Sequence, residues 1–313
     1  GLLTVADGLL ITGATGQVGQ ELVRALAGMG EVHAPGRDEL DLTDADSIRA
    51  AVRRLRPRWI VNAAAYTAVD RAEEDSAQAY AINAEAVGVL GEEAAAIGAA
   101  VLHFSTDYVF AGEGSTAYAE DDATGPMSIY GASKLAGEQA LATSGAAHIV
   151  LRTSWVYGAT GKNFLLTVVR VARERDEMKI VADQHGSPTW ARELARAAAA
   201  VMQFCDAKTG FAGSIHAAVR PVSGVYHAVC AGETTWFGFA EEALRLRRLA
   251  EPAARFATLL PVPASEYPTP ARRPHNSRLS CEKLERVFGV RLMDWRDALQ
   301  QVSGEIEPVV PVA

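Results

Sequence analysis

Tyr130 and Lys134 stand four residues apart in Tyr130-Gly131-Ala132-Ser133-Lys134, and of the eight tyrosines only Tyr130 has a lysine at that spacing. On a helix this spacing puts both side chains on one face. A phenol, with an ordinary pKa of about 10, can give a proton to a carbonyl oxygen as hydride reaches the carbon. A neighbouring ammonium stabilises the phenolate left behind, and can also hold a ribose. Ser105-Thr106-Asp107 closes the apolar run from Ala100 to Phe104, and either hydroxyl can hydrogen-bond the same carbonyl. The chemistry this set suits is carbonyl reduction.

A hydride donor needs its own site, and Gly13-Ala14-Thr15-Gly16-Gln17-Val18-Gly19 has the form of one. It follows the short apolar run Leu9-Leu10-Ile11-Thr12. It opens a segment with Val18, Leu22, Val23 and Leu26 at helical spacing. Gly13 permits the tight turn, Gly16 lets the backbone approach a pyrophosphate, and Gly19 lets the helix pack close to the sheet. Thr15, Gln17 and Val18 lie at the helix entry, where unpaired N–H groups and the helix dipole favour an anion. The next strand ends near His33-Ala34-Pro35-Gly36-Arg37. A basic residue there accommodates a 2′-phosphate, so Arg37 favours NADPH. Asp38 follows directly, which keeps NADH open.

The elements that must position these residues alternate. Short apolar runs around Leu9–Thr12, Val32, Trp59–Val61, Ala100–Phe104 and His148–Leu151 are separated by helical patterns at about 44–55, 75–97 and 131–141. Strand–helix alternation of this kind predicts a Rossmann-like, doubly wound parallel α/β sheet, with ligands at the carboxyl ends of its strands. The second half is less regular. Helices are expected over about 163–175, 191–204 and 236–249, a strand over 225–229, and a Pro-rich loop over 261–274. The expected organisation is a dinucleotide-binding domain over 1–155, with about 180–232 returning to it. The remainder of 156–313 is expected to be mostly a discontinuous, smaller substrate lobe.

The chain has 313 residues, 49% hydrophobic and 22% charged, enough for a large core and a companion lobe. A formal net charge of -8 with no basic block argues against nucleic-acid and membrane-surface partners. No apolar run approaches a membrane span, and no basic stretch followed by an apolar one opens the chain, so a cytoplasmic protein is expected. Cys205, Cys230 and Cys281 are odd in number and far apart, which reads as ordinary thiols, not a disulfide or zinc framework.

The GxxGxxG spacing, with Tyr130, Lys134 and the Ser-Thr pair, resembles the extended short-chain dehydrogenase/reductase family. Longer motifs sharpen this: 62–70 (NAAAYTAVD), 105–110 (STDYVF), 152–157 (RTSWVY) and 270–277 (PARRPHNS). They resemble the dTDP-4-dehydrorhamnose reductase group within that family. The resemblance implies NAD(P)H-dependent reduction of the C4 ketone of dTDP-4-dehydro-L-rhamnose. It implies Thr106, in preference to Ser105, with Tyr130 and Lys134 as the catalytic set, and counts Tyr130 and Lys134 among the cofactor-binding residues as well. It places Ala63, Ala64 and Ala65 along the cofactor, and Asp41 and Leu42 near its adenine. Toward the nucleotide sugar it places Val69, Asp70, Thr106, Asp107, Tyr108, Trp155, Arg272 and Arg273. The two arginines suit a diphosphate, and Trp155 can stack on or wall the sugar.

Related chemistries differ at named positions. A 4,6-dehydratase carries Asp-Glu after its Thr, whereas Thr106 is followed by Asp107-Tyr108. C4 epimerases usually have a different motif after this strand. A reductase for another keto-deoxysugar, such as a dihydrostreptose type, would share most of the motifs. So would a non-catalytic regulatory subunit, although intact Tyr130 and Lys134 count against that. Some members of the group pair around a magnesium ion held by glutamates. Those ligands are not assigned on this chain, so no metal is expected, while a homodimer is.

Overall fold

The computed structural model describes residues 8–308. The expectation about a leader falls partly on residues 1–7, outside the described residues. β1 (Gly8–Thr12), β2 (Glu31–His33), β3 (Trp59–Asn62), β4 (Ala100–Thr106) and β5 (Ala147–Thr153) are joined by a sixth strand, Gly224–His227. All neighbours pair in parallel, in the order Gly224–His227, β5, β4, β3, β1, β2. The strand order reverses between β1 and β3. A crevice therefore opens there, outside their carboxyl ends.

The strands are nearly continuous apolar runs because both faces are covered. Leu9 and Ile11 point into one core with Trp59, Val61, Leu102 and Ile149. Leu10 points the other way, with Ile60, Val101 and Val150. Each such fully buried aliphatic side chain contributes about 1.5–3 kcal/mol relative to exposure. The first face is roofed by α1 (Gln17–Leu26) and the helix Ala191–Asp206. The second is roofed by α2 (Ala45–Leu55) and by helices introduced next. Asp44 caps α2, accepting from the Asp46 N–H.

The Ala-rich stretch expected as one helix is a continuous run of three parts. After α3 (Val69–Ala72) come α4 (Ser76–Tyr80), a π-helical turn (Ala81–Glu85) and α5 (Ala86–Ile97). The widened turn carries Asn83, which is buried. The next helix, α6 (Ile129–Thr143), starts at Ser128, whose hydroxyl accepts from the Gly131 N–H.

Beyond β5 the chain builds small pairs beside the main sheet. Val156–Tyr157 pairs with Thr189–Trp190, and His185–Gly186 with Thr234–Thr235. Glu177–Val181 pairs with Thr258–Val262, so the Pro-rich stretch expected as loop begins inside a strand. Pro261 fits because a two-stranded sheet has an open side where its missing N–H costs nothing. The helices Phe164–Glu174 and Trp236–Ala250 lie where expected. Cys205, Cys230 and Cys281 are free thiols. Among the described residues no helix is long and apolar enough to cross a membrane.

Candidate active site

The glycine turn lies at the strand-order reversal. Gly13 has φ +68°, and Gly16 is an extended N-cap whose helix has neither a side-chain cap nor an acidic residue in its first turn. The N–H groups at the start of α1 therefore remain available to an anion. A Cβ on Gly19 would collide with the Gly13 carbonyl, so glycine is what lets the helix fold back against the turn. The turn forms one wall of a cleft of about 1310 Å³.

Most of the expected residues line that one cleft. Gly13, Thr15, Gly16, Gln17 and Val18 do so from the turn, Arg37, Asp41 and Leu42 from beyond β2, and Ala63, Ala64 and Ala65 from the end of β3. Arg37 is exposed. Asp41 accepts from the Thr43 hydroxyl and N–H at 2.7 and 2.8 Å, and the hydroxyl bond leads in holding its carboxyl below the usual range. Val69, Thr106, Asp107, Tyr108, Tyr130, Lys134 and Trp155 line the other end. Gly19 lies behind the turn, as its packing role requires.

The reacting end is held by close backbone approach. Thr106 is the last residue of β4 and caps the 3₁₀ turn Asp107–Val109, accepting from the Tyr108 N–H at 3.2 Å. A Cβ on Gly131 would run into the Tyr108 carbonyl, so only glycine seats the start of α6 against that turn. Tyr130 thereby meets Tyr108 edge-on, with ring centroids 5.4 Å apart. Lys134 is buried one turn further on and donates to the Phe104 carbonyl at 2.5 Å.

Burial moves the two groups in opposite directions. It pushes the Tyr130 phenol up to about 12, opposed by the Thr106 hydroxyl and assisted by the Asp107 carboxylate. It pulls Lys134 down to about 8, opposed by Glu138. The expectation that Lys134 lowers the Tyr130 pKa meets a different balance here: desolvation dominates, and the phenol keeps its proton. Burial also raises Asp107 to about 6, opposed by Ser277 and Thr106. The charge of Glu138 is met by Arg152, which forms a buried two-pronged pair with it at 2.7 and 2.8 Å.

The floor between these groups has hydrogen-bonding capacity to spare. The buried hydroxyls of Ser105, Thr153 and Ser154, at the ends of β4 and β5, make no hydrogen bond among the described residues. All three line the cleft. Buried polar groups of this kind call for a polar ligand. With the free N–H groups of α1, they fit the two ends of a nicotinamide dinucleotide.

The expected sugar side is arranged differently. Asp70, Arg272 and Arg273 do not line the cleft. The arginines border a small recess beyond Tyr108, beside Met127 and Pro274. Arg273 is engaged by Asp70 through two parallel contacts of 2.8 Å, and Asp70 also accepts from the Ala271 N–H. The Arg273 guanidinium holds the Asp70 carboxyl below its usual range. Arg272 is exposed, 4.0 Å from Glu113. Trp155 adopts φ +50°, a left-handed conformation that costs a bulky residue about 1–3 kcal/mol and recurs at functional sites. Its ring stacks on Trp236 at 3.7 Å, so that face is covered.

Asn83 escaped the sequence reading. Its amide oxygen accepts from the Tyr66 N–H, and its nitrogen donates to the Tyr66 carbonyl and the Ser133 hydroxyl. It thus ties the segment after β3 to α6 beside Lys134. The one available signal is an amide inside an alanine-rich helix.

Fold and site together define a dinucleotide-binding, doubly wound α/β protein of the dehydrogenase/reductase class. The chain belongs to the family described as RmlD substrate binding domain, whose model matches residues 7–307. It is 49% identical over 293 residues to a dTDP-4-dehydrorhamnose reductase of Burkholderia thailandensis, covering 93% of this chain and 96% of that protein. It is 42% identical over 303 residues to the Escherichia coli protein of the same name, covering 95% and 97%. The crystal structure of a dTDP-4-dehydrorhamnose reductase from Bacillus anthracis in complex with NADP superposes with a TM-score of 0.83 at 33% identity, covering 96% and 99%.

Proposed function

We propose that this protein is an NAD(P)H-dependent oxidoreductase that reduces the C4 ketone of dTDP-4-dehydro-L-rhamnose to dTDP-L-rhamnose, the last step in making that activated sugar. The observation that carries the reading is one cleft holding both the glycine turn and the Thr106–Tyr130–Lys134 group. The identity to reductases of that name supplies the sugar.

When bound, the reduced nicotinamide supplies hydride. Tyr130 donates its proton to the C4 oxygen as negative charge develops there. Thr106 orients that oxygen from the other side. Lys134 holds the ribose and, with its ammonium close by, eases the loss of the phenolic proton. The α1 N-terminus binds the pyrophosphate, Ala63 to Ala65 lie along the dinucleotide, and Asp41 and Leu42 flank the adenine. Arg37 reads the 2′-phosphate, so NADPH is the preferred donor and NADH also serves. Val69, Asp107, Tyr108 and Trp155 wall the sugar, while Asp70 and Arg273 brace that wall and Arg272 faces the nucleotide diphosphate.

In this reading residues 1–155, with about 180–232 returning, form the dinucleotide-binding domain, and the rest forms the sugar-binding lobe. The place of Gly224–His227 in the main sheet supports it. In this reading the protein works in the cytoplasm, as a homodimer without a bound metal. The test is NADPH and NADH oxidation with the dTDP-4-keto sugar supplied by its epimerase. Formation of dTDP-rhamnose upholds the reading. A folded, dinucleotide-binding protein that oxidises neither cofactor would reject it.

A further inference from the structure

The cleft has a cation that the reading above does not use. Lys162 lines the same cavity as the glycine turn, together with Thr160 and Gly161. Its side chain is exposed to the cleft solvent and makes no hydrogen bond or ion pair among the described residues. Of the other two basic residues lining the cleft, Arg37 lies beyond β2 and Lys134 is buried at the reacting end.

Its loop is fastened at both ends to the anion-binding turn. Asn163, the next residue, donates to the Gln17 side-chain oxygen at 2.9 Å and to the Gly158 carbonyl at 3.0 Å. Gln17 in turn donates to the Val156 carbonyl at 3.2 Å. Gln17 is the first residue of α1. The segment 156–163 is thus stitched to the point where the helix presents its free N–H groups. Gly161, at φ +81°, turns the chain just before Lys162. Asn163 then caps the helix Phe164–Glu174, accepting from the Leu166 N–H, which stiffens the far end of the loop.

We propose that Lys162 is a cofactor-binding residue whose ammonium meets the dinucleotide pyrophosphate opposite the α1 N-terminus. The inference rests on the functional reading above, since it takes a nicotinamide dinucleotide as the ligand. Two features separate the pyrophosphate from the other phosphates. The 2′-phosphate belongs to Arg37, beyond β2. The sugar diphosphate belongs to the side of Tyr108 and Arg272, whereas the loop of Lys162 is tethered to Gln17 through Asn163. A mobile ammonium adds charge that the backbone N–H groups lack, and gives dinucleotide binding a steeper dependence on salt.

The experiment is a fluorescence titration of NADPH and NADH into wild type, Lys162→Ala and Lys162→Arg, alongside the dTDP-sugar product as a separate ligand. Lys162→Ala is expected to weaken both dinucleotides by roughly 5- to 20-fold, the range for losing one charged hydrogen bond at an open site. Lys162→Arg is expected to keep most of the affinity, and Lys162→Ala to bind the dTDP-sugar as wild type does. A loss confined to NADPH would move Lys162 to the 2′-phosphate and overturn the proposal. So would a loss confined to the dTDP-sugar, or no loss at all. Wild type that binds neither dinucleotide would instead sink the functional reading, a result visible before any variant is compared.

Discussion

The two walls of the cleft are built on different principles. The cofactor wall is largely backbone-made, and its centre is one local stretch: the strand end Thr12, a seven-residue turn and a helix end. Its work is done by N–H groups that any sequence of the right shape would present. The sugar wall is made of side chains from distant segments, and behind it an ion pair joins Asp70 to Arg273 across 203 positions. One wall reads a feature common to all dinucleotides. The other is where a particular sugar can be told from its relatives, and where single substitutions should change specificity more than folding.

Between the walls stands the reacting group, and it gives the largest expected effect. Tyr130→Phe keeps the ring against Tyr108 and removes only the hydroxyl. It should lower kcat by roughly 10²–10⁴-fold, while NADPH affinity, set mainly by the glycine turn, Arg37 and Lys162, stays near wild type. Stopped-flow turnover with a parallel binding titration measures both. If affinity fell as far as kcat, the separation of walls would be wrong.

Acidity gives the next effect. Lys134 sits near 8 and Tyr130 near 12, so a reducing enzyme needs both protonated and loses Lys134 first. The kcat/KM profile for the ketone should fall about tenfold per pH unit above roughly 8, since it reports the free enzyme. Dinucleotide phosphates near the ammonium should move the corresponding limb of kcat upward. A flat profile to pH 10 would remove Lys134 from the proton-dependent step. Stability runs the other way. A lysine whose folded pKa lies below its unfolded value makes folding more favourable as pH rises between the two.

Arg37→Ala tests the cofactor wall at its exposed rim. It should weaken NADPH by roughly tenfold, the scale of a charged hydrogen bond, and leave NADH within about twofold. Equal losses for both would mean that the 2′-phosphate is read elsewhere. Asp38, which follows directly, would then be the residue to replace.

The legibility of the two walls follows from how they are made. The strand–turn–helix around Gly13–Gly19 and the Tyr130–Lys134 spacing are local, so their types and intervals are written in one stretch of chain. Gly131 shows the boundary. Its place between Tyr130 and Ala132 is visible, but its reason, the Tyr108 carbonyl against which α6 seats, is a tertiary contact. Asn83 and Lys162 were missed for the same cause. An amide in an alanine-rich helix and a lysine in a glycine loop acquire meaning only from Tyr66, Ser133 and Gln17 across the fold. The left-handed backbone of Trp155 has no sequence mark either, because the favourable residue for it would be glycine. Resemblance put Asp70 and Arg273 on the sugar side. That they face each other is a property of the closed loop at Ala271.

That pair gives the smallest effect and the sharpest test of the comparison. Asp70 and Arg273 are partly exposed, so their contact is screened and worth about 0–1 kcal/mol in spite of its two-pronged geometry. Asp70→Asn keeps the shape and one acceptor oxygen but removes the charge. The melting temperature should therefore drop by no more than a few degrees, on the order of 2–4 °C per kcal/mol for a domain of this size. Loosening the segment that carries Arg272 and Arg273 should raise the KM for the sugar nucleotide a few-fold. Dinucleotide affinity should not move, because Arg272 and Arg273 border a recess beyond Tyr108 and do not line the cleft with the glycine turn. Calorimetric melting and two KM values decide it. If NADPH binding weakened in step with sugar binding, the walls would be coupled through the loop at Ala271, and the cleft would act as one closing unit.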